Sequence, residues 1–496
     1  MIDKRWFFVG VLVVGVFLAV IVLLPFFLNA DAFRPTIETQ LSNSLGRTVT
    51  MGKLSFSLMQ ASLIADEVVI SDDPAFSDVP FLQAKALAVG IEIIPLLSHR
   101  EVRITGLTLD TPSIQLIQHA TGKWNFSSLG SGASQSALPP ELRTVPDLTV
   151  KVLKIVNGSA LVSSIPQSAK PFGYSEVNLT AKQFSFSKSF PFELSTKLPG
   201  NGTLNLIGDA GPISLQDVSQ TPFHGKLQVR EFNPVAAGIV DQSKGISMSG
   251  DIDADLTSDG ANASSIGKLK ASQMKLVPKG SPAQEPVDID YSISQNLVTR
   301  EGNVADIAIH AGSSVLHVKG TFKPSTEGLM LNLHLSAPAL PINEVGRLLP
   351  AVGMRLPSGS SLEGGTLTAN IAITGPATAT TMTGPVEVDD TRLAGFDLGS
   401  RIEGLNPLPG SSGGTDIRVL KATVNSSPQD TRLSDISAEV PPIGTASGNG
   451  NVALPGELDF RLTAKLTSAA GRSIPISISG TAANPSIRAN TGAALR

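Results

Sequence analysis

At 496 residues the chain is too long for one ordinary core, so two or more domains or one extended repetitive body are expected. Hydrophobic residues at 41% against 16% charged exclude intrinsic disorder, and 46 Gly and 34 Pro scattered without a three-residue period exclude collagen. Thirty-eight basic residues against 42 acidic ones, net −4, leave no basic stripe for nucleic acid, and zero cysteines remove disulfides, thiolate zinc sites and thiol nucleophiles.

The first element in chain order is apolar. Trp6 to Leu28 is 23 residues without a charge, 18 of them Leu, Ile, Val or Phe. As a helix it would span about 34 Å, enough for a hydrocarbon core of about 30 Å. Its insertion is worth roughly −5 to −11 kcal/mol as an upper estimate. Lys4 and Arg5 precede it, which predicts a cytoplasmic N-terminus with everything after Leu28 translocated. Ala30-Asp31-Ala32 resembles a signal-peptidase site, so a cleaved signal peptide is the rival reading. The apolar run exceeds the usual h-region, which favours an uncleaved, single-pass anchor.

Ile37, Leu41 and Leu45 are four apart and predict a short amphipathic helix stopped by Gly46. Beyond it the hydrophobic period becomes two. Leu329, Leu331, Leu333 and Leu335 alternate with other residues, as do Leu367, Ala369, Ile371 and Ile373. Leu458, Phe460, Leu462, Ala464 and Leu466 do the same, and so do Ile474, Ile476 and Ile478. Such runs predict strands with one apolar and one wet face. Turn signals at Asn157-Gly158, Pro199–Gly202, Asp259-Gly260 and Pro455-Gly456 predict antiparallel meanders rather than βαβ units. Two later helices are expected, Pro234 to about Gln242 and Asn343 to Val352.

Those helices open an apparent internal repeat. Gly250, Ile252, Ala254, Leu256 and Gly260 match Gly365, Leu367, Ala369, Ile371 and Gly375 at one offset. Linkers are expected at Gly130–Pro140 and Pro407–Thr415, both rich in Gly, Ser and Pro.

Motifs for chemistry are weak. Gly410-Ser411-Ser412-Gly413-Gly414 matches a nucleophile elbow in letters, but its flanks are a Pro-rich loop and a strand, and the last histidine is His334. Gly448-x-Gly450-x-x-Ala453 runs into a turn rather than the helix that a dinucleotide fingerprint needs. Asp251, Asp253 and Asp255 lack the Gly and Glu of a calcium loop and read as the wet face of a strand. None of the six histidines forms a zinc motif. The chain is therefore expected to be no enzyme and to carry no cofactor or metal.

An apolar sheet face must be covered by another sheet, by helices or by something else. Few helices are predicted, so the sheet could curl into a trough lined by Leu, Ile, Val and Ala that suits acyl chains. Pattern alone equally allows ordinary closed cores in two β domains.

Leu24-Pro25-Phe26-Phe27-Leu28, Ser44 to Leu54, Ile94-Pro95-Leu96-Leu97, Val102 to Pro112 and Gly122-Lys123-Trp124-Asn125-Phe126 together resemble the AsmA family of Gram-negative envelope proteins. Gly448 to Leu454, Ile474 to Thr481 and Asn484-Pro485-Ser486-Ile487 extend the resemblance to the C-terminus. It implies an inner-membrane anchor holding a periplasmic β-groove related to bridge-like, chorein-type lipid-transfer proteins, with roles in phospholipid transport and outer-membrane assembly. It implies no catalytic residue.

The expected fold is mainly β with one N-terminal transmembrane helix: an elongated curled antiparallel sheet forming a repeating β-groove, with a few short helices. The expected order is a cytoplasmic tail at 1–5, the anchor at 6–28, an AsmA-like N-terminal β region with a short leading helix at 29–130, and a β region at 131–222. Groove repeats follow at 223–339 and at 340–496, the second including the AsmA-like C-terminal region. Some 30 strands at about 4.8 Å would reach at most roughly 140 Å in one row. The expected lipid-facing residues are Leu329, Leu331, Leu333, Leu335, Leu367, Ile371, Ile373, Leu458, Phe460, Leu462, Ile474, Ile476 and Ile478. The expected partners are the inner membrane, phospholipid or another acyl lipid, and outer-membrane assembly proteins. The alternative is an assembly factor or scaffold for outer-membrane proteins without lipid conduction.

Overall fold

The computed structural model describes residues 30–57, 61–92, 104–129, 149–165, 171–214, 217–238, 240, 245–277, 280–283, 285–326, 328–353, 356–403, 413–453, 456–467 and 473–490. The expected span Trp6–Leu28, the linker Gly130–Pro140 and the Ile94–Leu97 motif lie outside these residues. Among the described residues no helix is long and apolar enough to cross a membrane. The chain forms two compact units, Met1–Arg230 with Leu256–Gly260, and Glu231–Asp255 with Ala261–Arg496. Both are mainly β with few short helices.

In the first unit, helix α1 (Arg34–Leu45) ends at Gly46, whose φ of 65° suits glycine. Its Ile37, Leu41 and Leu45 pack on a core of Val49, Met51, Leu54, Ala65, Val68, Leu82 and Ala84, as their four-residue spacing predicts. Strands β1 (Val49–Thr50) and β2 (Leu54–Ser57) both pair with β3 (Ser62–Ile70), and β3 pairs with β4 (Leu82–Ile91). Next come β5 (Ile104–Asp110) and β6 (Ser113–His119), separated by Thr111, with φ 47°, and Pro112. Both run antiparallel to β4 but parallel to β7 (Thr149–Ile165). The expectation of purely antiparallel pairing is therefore corrected. Residues 120–148 exceed the dozen or so that a parallel connection needs, and alternation within a strand carries no information on its neighbour's direction. An antiparallel meander follows through β8 (Phe172–Ser185), β9 (Phe190–Lys197), β10 (Thr203–Ala210) and β11 (Phe223–Phe232).

Asn157-Gly158 is not a turn. It sits inside β7, where Asn157 has φ 51° and the register with β8 shifts between Ile155 and Gly158. The Asn157 amide donates instead to Oδ1 of Asn178, on the next strand, at 2.9 Å. The same device recurs in the second unit. Glu231 donates its amide to Asp251 Oδ1 at 3.0 Å, Ala339 to Thr368 Oγ1 at 3.2 Å, and Asp435 to Asn449 Oδ1 at 3.2 Å. All three donors have φ near 50°. Each β-bulge releases an amide from the ladder, and a polar side chain of the following strand accepts it.

The second unit opens with β12 (Ser247–Ser258). From β13 (Asn262–Lys275) each strand pairs antiparallel with the next: β14 (Val287–Asn296), β15 (Gly302–Ala311), β16 (Ser314–Ser325) and β17 (Gly328–Pro341). Helix α2 (Ile342–Gly346) and a 3-10 turn at Leu349–Val352 stand where one helix over Asn343–Val352 is expected; Pro350 sits in the first turn of the second piece. Pro234–Gly238 forms successive turns rather than the expected helix, with Gly238 at φ 67°. After the short β18 (Ser361–Glu363), β19 (Thr366–Pro376) pairs with β17 and with β20 (Thr381–Ala394), while β18 pairs with β20. Helix α3 (Leu398–Arg401) leads into β21 (Ile402–Glu403). The ladder then runs from β20 through β22 (Gly414–Ser426), β23 (Asp430–Val440), β24 (Gly444–Ala453), β25 (Glu457–Leu466), β26 (Ser473–Thr481) and β27 (Asn484–Ala489). β27 also pairs parallel with β21, so this sheet too is mixed.

Two of the resembling segments meet in a buried polar network of the first unit. Arg47 is 7% exposed, Asp72 5% and Asn125 0%. The Arg47 guanidinium donates to Asp72 Oδ1 at 3.3 Å, to the Asn125 carbonyl at 2.8 Å and to Ser128 Oγ at 2.7 Å. Asn125 Nδ2 donates to Asp72 Oδ2 at 2.8 Å and to the Gln115 carbonyl at 2.9 Å, and its Oδ1 accepts the Ile117 amide at 3.0 Å. Burial pushes the Asp72 carboxyl above its ordinary value, opposed by the Asn125 hydrogen bond and the Arg47 charge. Arg47→Ala leaves that carboxylate buried without its cation and should cost about 3–5 kcal/mol of stability. A raised folded-state value means that the Asp72 contribution is full below the ordinary carboxylate range and is lost as pH rises. In urea melts the Arg47→Ala deficit should therefore be larger near about pH 7 than near about pH 4. An unchanged midpoint at both would contradict the role given to this network.

Candidate functional site

Cross-strand register puts the alternating apolar residues of the second unit on one face of its sheet. Tyr291 neighbours Ile307, then Val318, Leu335 and Ile371 on successive strands. Beside that row, Ile293 neighbours Val304, then Gly320, Leu333, Ile373 and Met382. A third row runs from Leu340 through Leu367, Val388, Leu420, Ala438, Ala446 and Ala464 to Ile474. Farther along, Val424 neighbours Leu433, Gly450, Phe460, Ile478 and Ile487.

The thirteen expected lipid-facing residues all fall on this face, in unequal surroundings. Leu329 is exposed, at 41%. Leu331, Leu333, Leu335, Leu367, Ile373, Leu458, Phe460, Leu462 and Ile478 are half-buried. Ile371, at 9%, is at the edge of burial. Ile474 and Ile476 sit inside a packed cluster with Phe396, Ile402, Ile443, Ala464, Leu466 and Ile487, against which Leu398 of α3 also packs. A second cluster, Ala271, Met274, Ala283, Val287 and Ala351, closes around the 3-10 turn after α2. Cover is thus supplied at these clusters, while Leu331–Leu335 and Ile373 keep part of their surface in solvent.

The opposite face is polar and carries cross-strand ion pairs. Lys268 lies 3.1 Å from Asp290 and Lys421 2.6 Å from Glu387. Hydrogen bonds from Lys268 and from His310 hold the Asp290 carboxyl below its ordinary value, and the Glu387 hydrogen bond raises Lys421. These pairs are solvent-exposed and add little to stability. Asp251, Asp253 and Asp255 are exposed on β12, and Gly448 to Ala453 lies within β24, with no helix to seat a pyrophosphate. Ser411 and Ser412 lie outside the described residues. His310 pairs with Asp290 and His317 with Asp306, each at 3.0 Å. Among the described residues no cluster of three or more His, Asp or Glu could hold a metal ion.

Glycines are the residues of this face that the alternation did not single out. A Cβ on Gly320 would collide with the carbonyl of Asn332, one on Gly384 with that of Asn370, and one on Gly448 with that of Arg461. Each strand therefore runs closer to its neighbour there than a side chain permits, which is the geometry of a bend. At two other places an aromatic ring fills the gap, Phe322 over Gly302 and Phe460 over Gly450. Gly384→Ala and Gly448→Ala should each lower stability by about 1–3 kcal/mol. Gly173→Ala, with nothing within 4 Å of its Cβ, should leave stability unchanged or raise it by about 0.4–1 kcal/mol. Thermal scans of the full chain in detergent check this; equal effects at all three sites would contradict the bends.

No curated protein and no solved structure matches the chain. The model of the AsmA family matches residues 4–189, which include α1, the strands through β8 and the Arg47–Asp72–Asn125 network. Over that N-terminal stretch the chain is similar to the AsmA family.

Proposed function

We propose that this is a non-enzymatic envelope protein, anchored in the inner membrane by Trp6–Leu28 with its bulk in the periplasm. Its apolar sheet face shields or transfers phospholipid acyl chains and so supports outer-membrane assembly. The observation that carries this reading is the set of apolar rows across β14 to β26, whose middle, around Leu333, Leu335 and Ile373, keeps surface in solvent. Each acyl CH₂ transferred from water to such a face gains about 0.8 kcal/mol, so a few carbons per strand suffice for useful affinity. Acyl chains need no charged partner, in keeping with a face of Leu, Ile, Val and Phe. Similarity to the AsmA family over residues 4–189 supports the envelope setting.

A scaffold for outer-membrane proteins is the second reading, favoured by the sealed packing around Ile474 and Ile476. Crosslinking in cells separates the two: lipid adducts on strand residues of the apolar face support the first, barrel-protein adducts on loops the second. The direct test is mass spectrometry of lipid copurifying with the full chain. Leu333→Asp and Phe460→Asp, both half-buried, should abolish copurifying phospholipid while circular dichroism stays unchanged. Equal lipid in folded variants and in the parent would refute the acyl-binding role.

A further inference from the structure

The polar face of the same sheet carries a second candidate site with different chemistry. Cross-strand register aligns Ser264, Ser294, Asn303, Thr321, Asn332, Thr374 and Thr381 in one uninterrupted row over seven strands. Every member is a hydroxyl or an amide. Elsewhere this face also carries ion pairs such as Lys268–Asp290 and Lys421–Glu387. Ser294, Asn303, Thr321 and Asn332 are exposed, and among the described residues their side chains have no hydrogen-bond partner.

The row runs into a recess of about 510 Å³ at the ends of β14, β15 and β16. Ser294, Asn303 and Thr321 line it together with Gln295, Asn296 and Phe322, whose ring lies over Gly302. Glu301 and Lys323 also line it and cancel in charge, so the recess has no net attraction for a polyanion. Amides and hydroxyls both donate and accept, which suits a ligand made of hydroxyls and acetamides, and an aromatic ring suits the C–H face of a sugar. Strands recur about every 4.8 Å, close to the advance per ring of an extended glycan, so successive sugars can meet successive strands.

We propose that this recess and the row leading from it bind an uncharged glycan strand. The row itself lies on the wet side and does not depend on acyl-chain binding, whereas Phe322, opposite Leu331, and Gly302 reach the recess from the apolar side at the strand ends. The test adds chitotetraose and maltotetraose, separately, to the full chain in detergent, with binding followed by saturation-transfer difference NMR and titration. The proposal expects saturable binding of at least one, weakened at least about tenfold by Asn303→Ala and by Thr321→Val. Thr321→Val keeps shape and strand preference, so its loss reads the hydroxyl rather than folding. Lys421→Ala, on the charged part of the face, should bind as the parent does, and phospholipid copurification should be unchanged throughout. Failure of both sugars to bind, binding that survives both substitutions, or binding of glycerophosphoethanolamine in place of either sugar would overturn it.

Discussion

A sheet with one oily face has to cover it, and most of what is distinctive about this protein follows from how little of the second unit is available for that task. Among the described residues its two α-helices are five and four residues long. They and the segments beside them close two clusters, one around Ala271 and Ala351, the other around Ile474 and Leu466. The rows between have neighbours in the plane of the sheet, but their half-buried leucines and isoleucines remain reachable from solvent. Free energy is therefore left on that face for something other than the chain itself.

The backbone is adapted to bending rather than lying flat. Left-handed residues such as Asn157, Ala339 and Asp435 break the register, and a side chain on the next strand takes each displaced amide. Gly320, Gly384 and Gly448 admit approaches that any side chain would block. The first unit is held differently: Arg47, Asp72 and Asn125 join the end of α1, the segment after β3 and the turn after β6 in one dry hydrogen-bonded knot. The Arg and Asn of two family-like motifs thus have a structural reason to occur together.

What could be read beforehand was whatever depends on local periodicity. Ile37, Leu41 and Leu45 specify the face of α1, and the alternation around Leu333, Ile371, Phe460 and Ile476 specifies strands and the side each residue takes. What escaped depends on contacts distant in sequence. The parallel pairing of β7 with β5 and β6 is set by a connection, not by a pattern within the strand. Asn157-Gly158 carries a turn signal, yet the same left-handed preference serves a bulge once Asn178 accepts the amide. Which apolar positions are sealed was equally invisible, since Ile474 and Leu333 look alike until Phe396 and Ile402 are placed over the former. Arg47 and Asp72 were unreadable as a pair because 25 residues separate them.

The central claim is that hydrocarbon contacts the middle of the apolar face and not its reverse. The most direct measurement introduces a photo-crosslinking amino acid in living cells at Leu335 and Ile373, and separately at Lys319 and Asn370 on the polar side. Phospholipid adducts at the first two positions and none at the second two are the predicted result. Adducts at all four alike, or at none, would contradict the account.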